Sequence, residues 1–270
     1  MLASLALSTT RYDVINPPTF IGLDNYQRMT SDPQVGRALY NTAFYTALYV
    51  PLSMALALGL AVMLNRVGRA AGFFRTVFYL PSITPAVAVG ALFLFLLNPH
   101  AGVVNRALEA IGIPGPGWTT DAAWIKPGII LLSLWSLGST VVIYLAALRN
   151  VPVELYEAAR IDGAGAWAQF RHVTVPMISG ALFFTLVVNT IASLQIFAEV
   201  YTMYFGNQQN VAGPAADAAL FYSIHIFNEA FRYFRMGYAS ALAWLLFGVI
   251  LVITVIQLRL ARRWVFYAGD

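Results

Sequence analysis

Three histidines, one lysine and no cysteine limit the chemistry this chain could carry. Zinc hydrolysis needs two histidines one helical turn apart with an acidic base between them. His100, His172 and His225 are scattered and none belongs to such a motif, so they read as loop or interfacial residues. Without cysteine there is no thiolate nucleophile, disulfide framework or cysteine-based metal site. A phosphate-cradling P-loop ends in Gly-Lys-Ser/Thr, whereas the single lysine, Lys126, follows isoleucine. Gly163-Ala164-Gly165-Ala166-Trp167-Ala168 does fit the dinucleotide fingerprint. That motif works only between a strand and a helix, with an acidic residue ~20 positions further on. Here Leu155–Ile161 reads as helix, and the later position falls in an apolar run, so the match is chance. No catalytic, metal-binding or cofactor-binding residue is expected.

A second kind of chemistry needs no reactive group. Tyr144, Asn189, Ser193, Gln195 and Glu199 sit within or at the ends of long apolar stretches. Polar groups there are expensive unless they face a cavity or a partner. Gln195 and Glu199 are four residues apart, and Asn189 and Ser193 repeat that step on a neighbouring helical stripe. Amides, hydroxyls and a phenol suit a hydrogen-bonding solute, which makes the five residues candidates for a polar pathway through the spans. The same groups also serve hydrogen bonds to a second membrane chain, and Glu199 can meet water at the outer interface.

The elements that position these residues follow from composition. Of 270 residues, 59% are hydrophobic and only 10% charged, against about 25% charged in a soluble domain. So few charges cannot cover a soluble fold of this size, and the chain is an all-α polytopic membrane protein. Five uncharged stretches, 38–65, 76–105, 127–148, 172–198 and 236–258, each reach the ~20 residues a spanning helix needs. The net charge of +4 comes from residues scattered between these spans, which argues for basic cytoplasmic loops and against nucleic acid. Placing 65–75, 149–173 and the C-terminal tail on one side gathers nine arginines against four acidic residues there. The other side balances seven basic residues against seven acidic ones. The first side is therefore expected to be cytoplasmic, with the C-terminus inside.

Five spans then put the N-terminus outside, although Met1–Thr10 lacks the basic start of a signal peptide. The simpler expectation is that 1–37 is an outside segment opening on the stump of a first span absent from this chain. Residues 38–262 form the transmembrane domain, with a cytoplasmic loop at 149–173 and a tail at 263–270. Asn16-Pro17-Pro18, the Gly-Pro run at 112–117 and 204–216 are expected to be outside loops.

The informative loop runs from Asn150 to Pro176. Asn150 is a plausible N-cap, Pro152 suits a first turn and Glu154 complements the positive helix end. Leu155, Ala158 and Ala159 share one face, and Gly163 can close the helix. A second short helix is expected over Ala164–His172. The loop thus projects a small helix whose packing face carries two alanines, allowing another backbone to approach closely. A solvated interfacial connector is the plain alternative.

Glu157-Ala158-Ala159, Gly163, Val173, Val175 and Pro176 keep the spacing of a known loop pattern: EAA, three residues, Gly, nine residues, I-x-L-P. Val173 and Val175 are its only departures. In this the chain resembles the permease subunits of bacterial ATP-binding-cassette importers that work with a separate binding protein. Phe20-Ile21-Gly22-Leu23-Asp24-Asn25-Tyr26, Phe74-Arg75-Thr76, Asn98-Pro99, Glu154-Leu155-Tyr156 and Gly237-Tyr238-Ala239-Ser240-Ala241 look like the sugar-importer branch, of maltose and glycerol-phosphate type. The resemblance implies a type I importer permease fold, usually of six or more spans, which matches the missing first span. It also implies that the loop is a coupling helix seated in a cleft of an ATPase. Carried over, Glu157 makes polar contacts to that ATPase, Ala158 and Ala159 allow tight seating, and Gly163 provides the bend; Asp162 and Pro176 belong to the same motif. ATP and magnesium would then sit on the partner ATPase. The implied partners are an ATPase dimer, a second, unlike permease chain, an extracytoplasmic substrate-binding protein and membrane lipid. An autonomous channel or secondary transporter would more often show internal inverted repeats, and a membrane enzyme would need a convergent reactive set. Neither is visible in the sequence.

Overall fold

The structure is a computed structural model that describes residues 1–67, 71–206 and 212–265. A short helix α1 (Leu2–Ser8) leads into a small antiparallel hairpin, β1 (Thr10–Arg11) and β2 (Thr19–Phe20), with Thr10 opposite Phe20. Helices follow as α2 (Asp24–Ser31), α3 (Pro33–Arg66), α4 (Ala71–Tyr79) with a 3-10 turn at Leu80–Ile83, α5 (Ala86–Leu96) and α6 (Val103–Ala110). Next come α7 (Ala122–Leu134), α8 (Gly138–Arg149), α9 (Val153–Ile161), α10 (Ala166–Gln169), a π-turn at Phe170–Thr174, α11 (Val175–Met177) and α12 (Ser179–Leu194). The chain continues through α13 (Ala198–Tyr204), α14 (Gly213–Ala219), α15 (Tyr222–Phe227), a second π-turn at Asn228–Arg232 and α16 (Met236–Ala261).

The all-α, polytopic reading holds, with corrections to the spans. Among the described residues, three helical stretches are long and apolar enough to cross a membrane: Pro33–Arg66, Ser179–Tyr204 and Met236–Ala261. Two broken pairs, Gly72–Ile83 with Ala86–Leu96 and Ala122–Leu134 with Gly138–Arg149, bring the number to five if each pair is one span. The stretch 76–105 is thus no single helix. Pro85 disfavours helical backbone at the residue before it, and Thr84 is extended at ψ 132. The stretch 127–148 breaks before Gly138 without a proline. There the Gly138 backbone lies against the Phe78 carbonyl, so packing on α4 sets the break. The stretch 172–198 opens on the first π-turn, and its helix stops at Leu194. Pro176 has no amide to donate, and its ring crowds the preceding turn, which widens into that π-turn. The hairpin at Thr10–Phe20 is strand where only loop was expected. Part of the predicted 204–216 loop and residues 266–270 of the tail lie outside the described residues; within the former, Gly213–Ala219 is helical.

The chain forms two compact units. The first comprises Met1–Ala47, Pro85–Leu132 and Ala192–Ile253. Its core buries Tyr45 edge-on against Phe221, with ring centroids 5.5 Å apart, and Tyr204, whose hydroxyl donates to the Trp118 carbonyl at 3.2 Å. Long-range hydrogen bonds pair several buried polar groups of this unit: Asn41 donates to the Asp217 and Leu220 carbonyls at 2.8 and 3.0 Å, and Trp118 Nε1 donates to Asn105 Oδ1 at 2.7 Å.

The second unit comprises Leu48–Thr84, Ser133–Ile191 and the chain from Thr254 onward. Ala57, Ala61 and Leu64 of α3 pack on Val141, Tyr144, Leu145 and Leu148 of α8, and Val151 and Ile178 close the cluster. Alanines at i and i+4 let the helices approach closely. Large apolar side chains elsewhere, such as Phe95, Leu251 and Val252, are exposed, which suits a lipid surround.

Candidate functional site

The loop motif has a local physical origin. Helix α9 is capped by Pro152, at φ −58 and ψ 134, while Asn150 ends α8; Asn150 is therefore a C-cap and not the expected N-cap. At the other end the Gly163 amide donates to the Arg160 carbonyl at 3.0 Å, and the Ala164 amide donates to the Ala159 carbonyl at 2.8 Å. Gly163 has φ +79. These are the two bonds and the left-handed residue of a Schellman stop. The motif's alanine and glycine are spaced as they must be if the second alanine supplies the carbonyl that the residue after the glycine caps.

The helix this stop encloses buries none of its residues. Glu157, Ala158 and Asp162 are exposed and Ala159 is half-buried. Apolar side chains stand out beside them: Ile161 is 87% exposed, Trp167 72% and Val153 64%. Such a group in water is unfavourable and marks a contact surface. Trp167 stacks on Phe170 with centroids 5.5 Å apart. The second short helix is confined to α10, and the chain reaches Pro176 through the π-turn instead of the expected continuous Ala164–His172 helix.

One hydrogen bond and one packing contact hold this surface to the rest of the second unit, and a further hydrogen bond closes the loop on itself. The Tyr156 and Thr174 hydroxyls meet at 3.0 Å, and Gln169 Nε2 donates to the Ala164 carbonyl at 2.7 Å. The Tyr156 ring packs against the buried cluster of α3 and α8. The helix is exposed on one side and anchored through Tyr156 on the other, and that anchor reaches Thr174 just before the next span.

The five polar candidates inside the spans behave differently from one another. Tyr144 is 0% exposed, and its hydroxyl lies 2.6 Å from the Thr185 hydroxyl within the second unit. Asn189 is half-buried with a buried, unpartnered Nδ2, and Ser193 is buried. Gln195 is exposed and Glu199 half-buried. The helix is interrupted between Leu194 and Ala198, and Phe197 has φ −143 and ψ −63. Gln195 and Glu199 are therefore not successive turns of one helix, because the interruption rotates the second relative to the first.

One polar cluster escaped the sequence reading. In the first unit, Glu229 is 3% exposed and lies 3.3 Å from Arg235 and 3.9 Å from Arg28. Asp32 accepts from the Tyr238 hydroxyl at 2.9 Å and stands 3.8 Å from His225 Nε2. Arg28 lies over the Tyr238 ring, 4.3 Å from its centroid. His225, read as a loop or interfacial residue, is instead 1% exposed. Burial holds its imidazole below its ordinary value; Glu229 and Asp32 oppose that shift and Arg28 adds to it. A cavity of about 460 Å³ opens among Arg28, Asp32, Glu229, Tyr233 and Arg235. The cluster's only trace in the sequence is that all its charges fall on the side whose charges balance.

Several apolar spans, an exposed and anchored loop helix, and polar groups inside the spans define a membrane permease subunit. The family of binding-protein-dependent transport system inner membrane components matches residues 50–266, and the chain belongs to it. It is 38% identical over 272 residues to the probable ABC transporter permease protein YesP of Bacillus subtilis (strain 168), covering 99% of this chain and 85% of that protein. It is also 38% identical over 249 residues to the lactose transport system permease protein LacF of Rhizobium radiobacter, covering 90% of this chain and 82% of that one. Its fold is similar to that of a chain in the crystal structure of a bacterial alginate ABC transporter in complex with an alginate pentasaccharide-bound periplasmic protein. The TM-score is 0.80 at 27% identity, covering 90% of this chain and 83% of that one. The chain is a multi-pass inner-membrane permease component of an ABC importer, whose transport depends on a binding protein and other transporter subunits.

Proposed function

We propose that this chain forms part of the translocation pathway of a carbohydrate importer and transmits the stroke of a separate ATPase to it. The observation that carries the reading is the loop helix Val153–Ile161, which buries nothing of its own, exposes apolar side chains and is tied to the second unit by Tyr156. Glu157, Ala158, Ala159 and Asp162 present the contact face to the ATPase, Gly163 sets its bend and Pro176 starts the following span. The carbohydrate class rests on the names of the relatives, a lactose permease and an alginate transporter. The loop, residues 65–75 and the tail face the cytoplasm, because that side gathers the excess of arginine. A second, unlike permease chain completes the pathway. Asn189, Gln195 and Glu199 are the better substrate contacts, since the Tyr144 hydroxyl is already held by Thr185.

Affinity purification of the C-terminally tagged chain from its native host in mild detergent tests the reading. An ATPase and a second permease chain are expected to co-purify, and the ATPase to be lost from Gly163→Val. Recovery of the folded chain with no ATPase would overturn it. A single cysteine placed at the exposed Gly165 tests the orientation. An impermeant maleimide should label it in inverted vesicles and not in intact cells.

A further inference from the structure

The second unit carries an apolar groove that ends in two arginines. Its floor is one stripe of α8, formed by Val142, Leu145, Ala146 and Arg149 at i, i+3, i+4 and i+7. Arg75 of α4 and Asn150 complete the lining of a cavity of about 280 Å³. Ala146 is exposed and Val142 half-buried, so the stripe opens at these two positions above the buried Leu145. Val142 to Arg149 spans about 10 Å of helix axis.

The charge at the end of this groove is unanswered. Arg75 Nε is buried without a hydrogen-bond partner, and a buried donor left unpaired is unfavourable. Among the described residues, the ion pairs involve neither Arg75 nor Arg149. The nearby helix end does not use them either, because the Ala147 and Leu148 carbonyls accept from the Asn150 and Val151 amides. Two guanidiniums lining one cavity call for an anion, and phosphate is the group their fork geometry matches. The three apolar side chains beside them call for a hydrocarbon chain. Both belong to one molecule already implied by the membrane.

We propose that the groove is a binding site for an anionic phospholipid. Its phosphate lies between Arg75 and Arg149, with the Asn150 side-chain amide as a further donor, and an acyl chain follows Val142 and Ala146 over Leu145. Inorganic phosphate would satisfy the arginines and leave the apolar half of the groove empty.

Native mass spectrometry of the full chain, delipidated and then titrated with phosphatidylglycerol or phosphatidylcholine, tests the site. Phosphatidylglycerol should be retained in preference to phosphatidylcholine, and it should raise the Tm where inorganic phosphate does not. Affinity for phosphatidylglycerol should fall about fivefold for each of Arg75→Gln and Arg149→Gln. Ala146→Trp, which fills the exposed stripe and keeps both arginines, should displace the lipid. Equal retention of the two lipids, or unchanged affinity in the double arginine variant, would overturn the proposal. A Tm shift from inorganic phosphate equal to that from phosphatidylglycerol would reduce the groove to a simple anion site. If the double variant does not fold, a folded Ala146→Trp protein that retains phosphatidylglycerol as the wild type does would also overturn it. Release of the lipid when the ATPase and second permease assemble on the chain would assign the arginines to a partner's carboxylate instead.

Discussion

The Tyr156 hydroxyl stands 3.0 Å from the Thr174 hydroxyl, joining the exposed helix α9 to the π-turn from which the next span departs. Tyr156→Phe keeps the ring in its packing site and removes only this bond, worth about 1 kcal/mol. Transport driven by the assembled complex should fall while the ATPase still co-purifies. Transport equal to wild type in Tyr156→Phe would show that the stroke passes elsewhere.

Gly163 has φ +79, and a Cβ built on it would meet nothing within 4 Å. Any cost of substitution is therefore backbone strain, about 1–2 kcal/mol for an ordinary residue. Asn tolerates the left-handed region and Val does not. Gly163→Asn should retain most transport and Gly163→Val should lose it; equal loss in both would point to a contact made by the missing side chain.

Two glycines of the second unit should respond to alanine with opposite sign. A Cβ at Gly138 would run into the Phe78 carbonyl, so Gly138→Ala forces α4 and α8 apart and should destabilise by about 1–3 kcal/mol. Gly59 lies inside α3 with no neighbour within 4 Å of an added Cβ. There Gly→Ala should stabilise by about 0.5–1 kcal/mol. Thermal unfolding in detergent measures both, and a gain at Gly138 would mean that helix propensity outweighs packing.

His225 makes stability depend on pH in a definite direction. Its folded value is depressed from the ordinary 6.5, chiefly by burial. The unfolded chain therefore takes up a proton on acidification before the folded chain does, and stability falls as pH drops below about 6.5. The Tm should decline between pH 7 and 5.5, and His225→Asn should flatten that decline. A Tm that rises on acidification would mean that Asp32 and Glu229 outweigh burial.

Much of what is local was legible in the sequence. Glu157, Ala158, Ala159 and Gly163 announce a helix and its stop because a Schellman cap involves residues within six positions of one another. The apolar stretches announce spans because lipid demands them. The break before Gly138 was not legible, because it depends on Phe78, a residue of a different helix. The charge cluster was invisible for the same reason. Asp32 meets Tyr238, and Arg28 meets Glu229, across some two hundred residues with no repeating spacing. Asn150 was misread because capping statistics favour it at a helix start, whereas here α8 has just ended and the groups in need are the carbonyls one turn behind it.

The interruption at Gln195–Phe197 has one more implication. Between α12 and α13 the regular ladder gives way to the tighter bonds from the Gln195 amide to the Ala192 carbonyl and from the Ile196 amide to the Ser193 carbonyl, and hydrocarbon offers no replacement to the groups left over. The exposed Gln195 sets a hydrogen-bonding side chain at that point. On the pathway proposed above, a polyhydroxylated solute reaching this break would exchange water for an amide and main-chain carbonyls instead of meeting bare hydrocarbon.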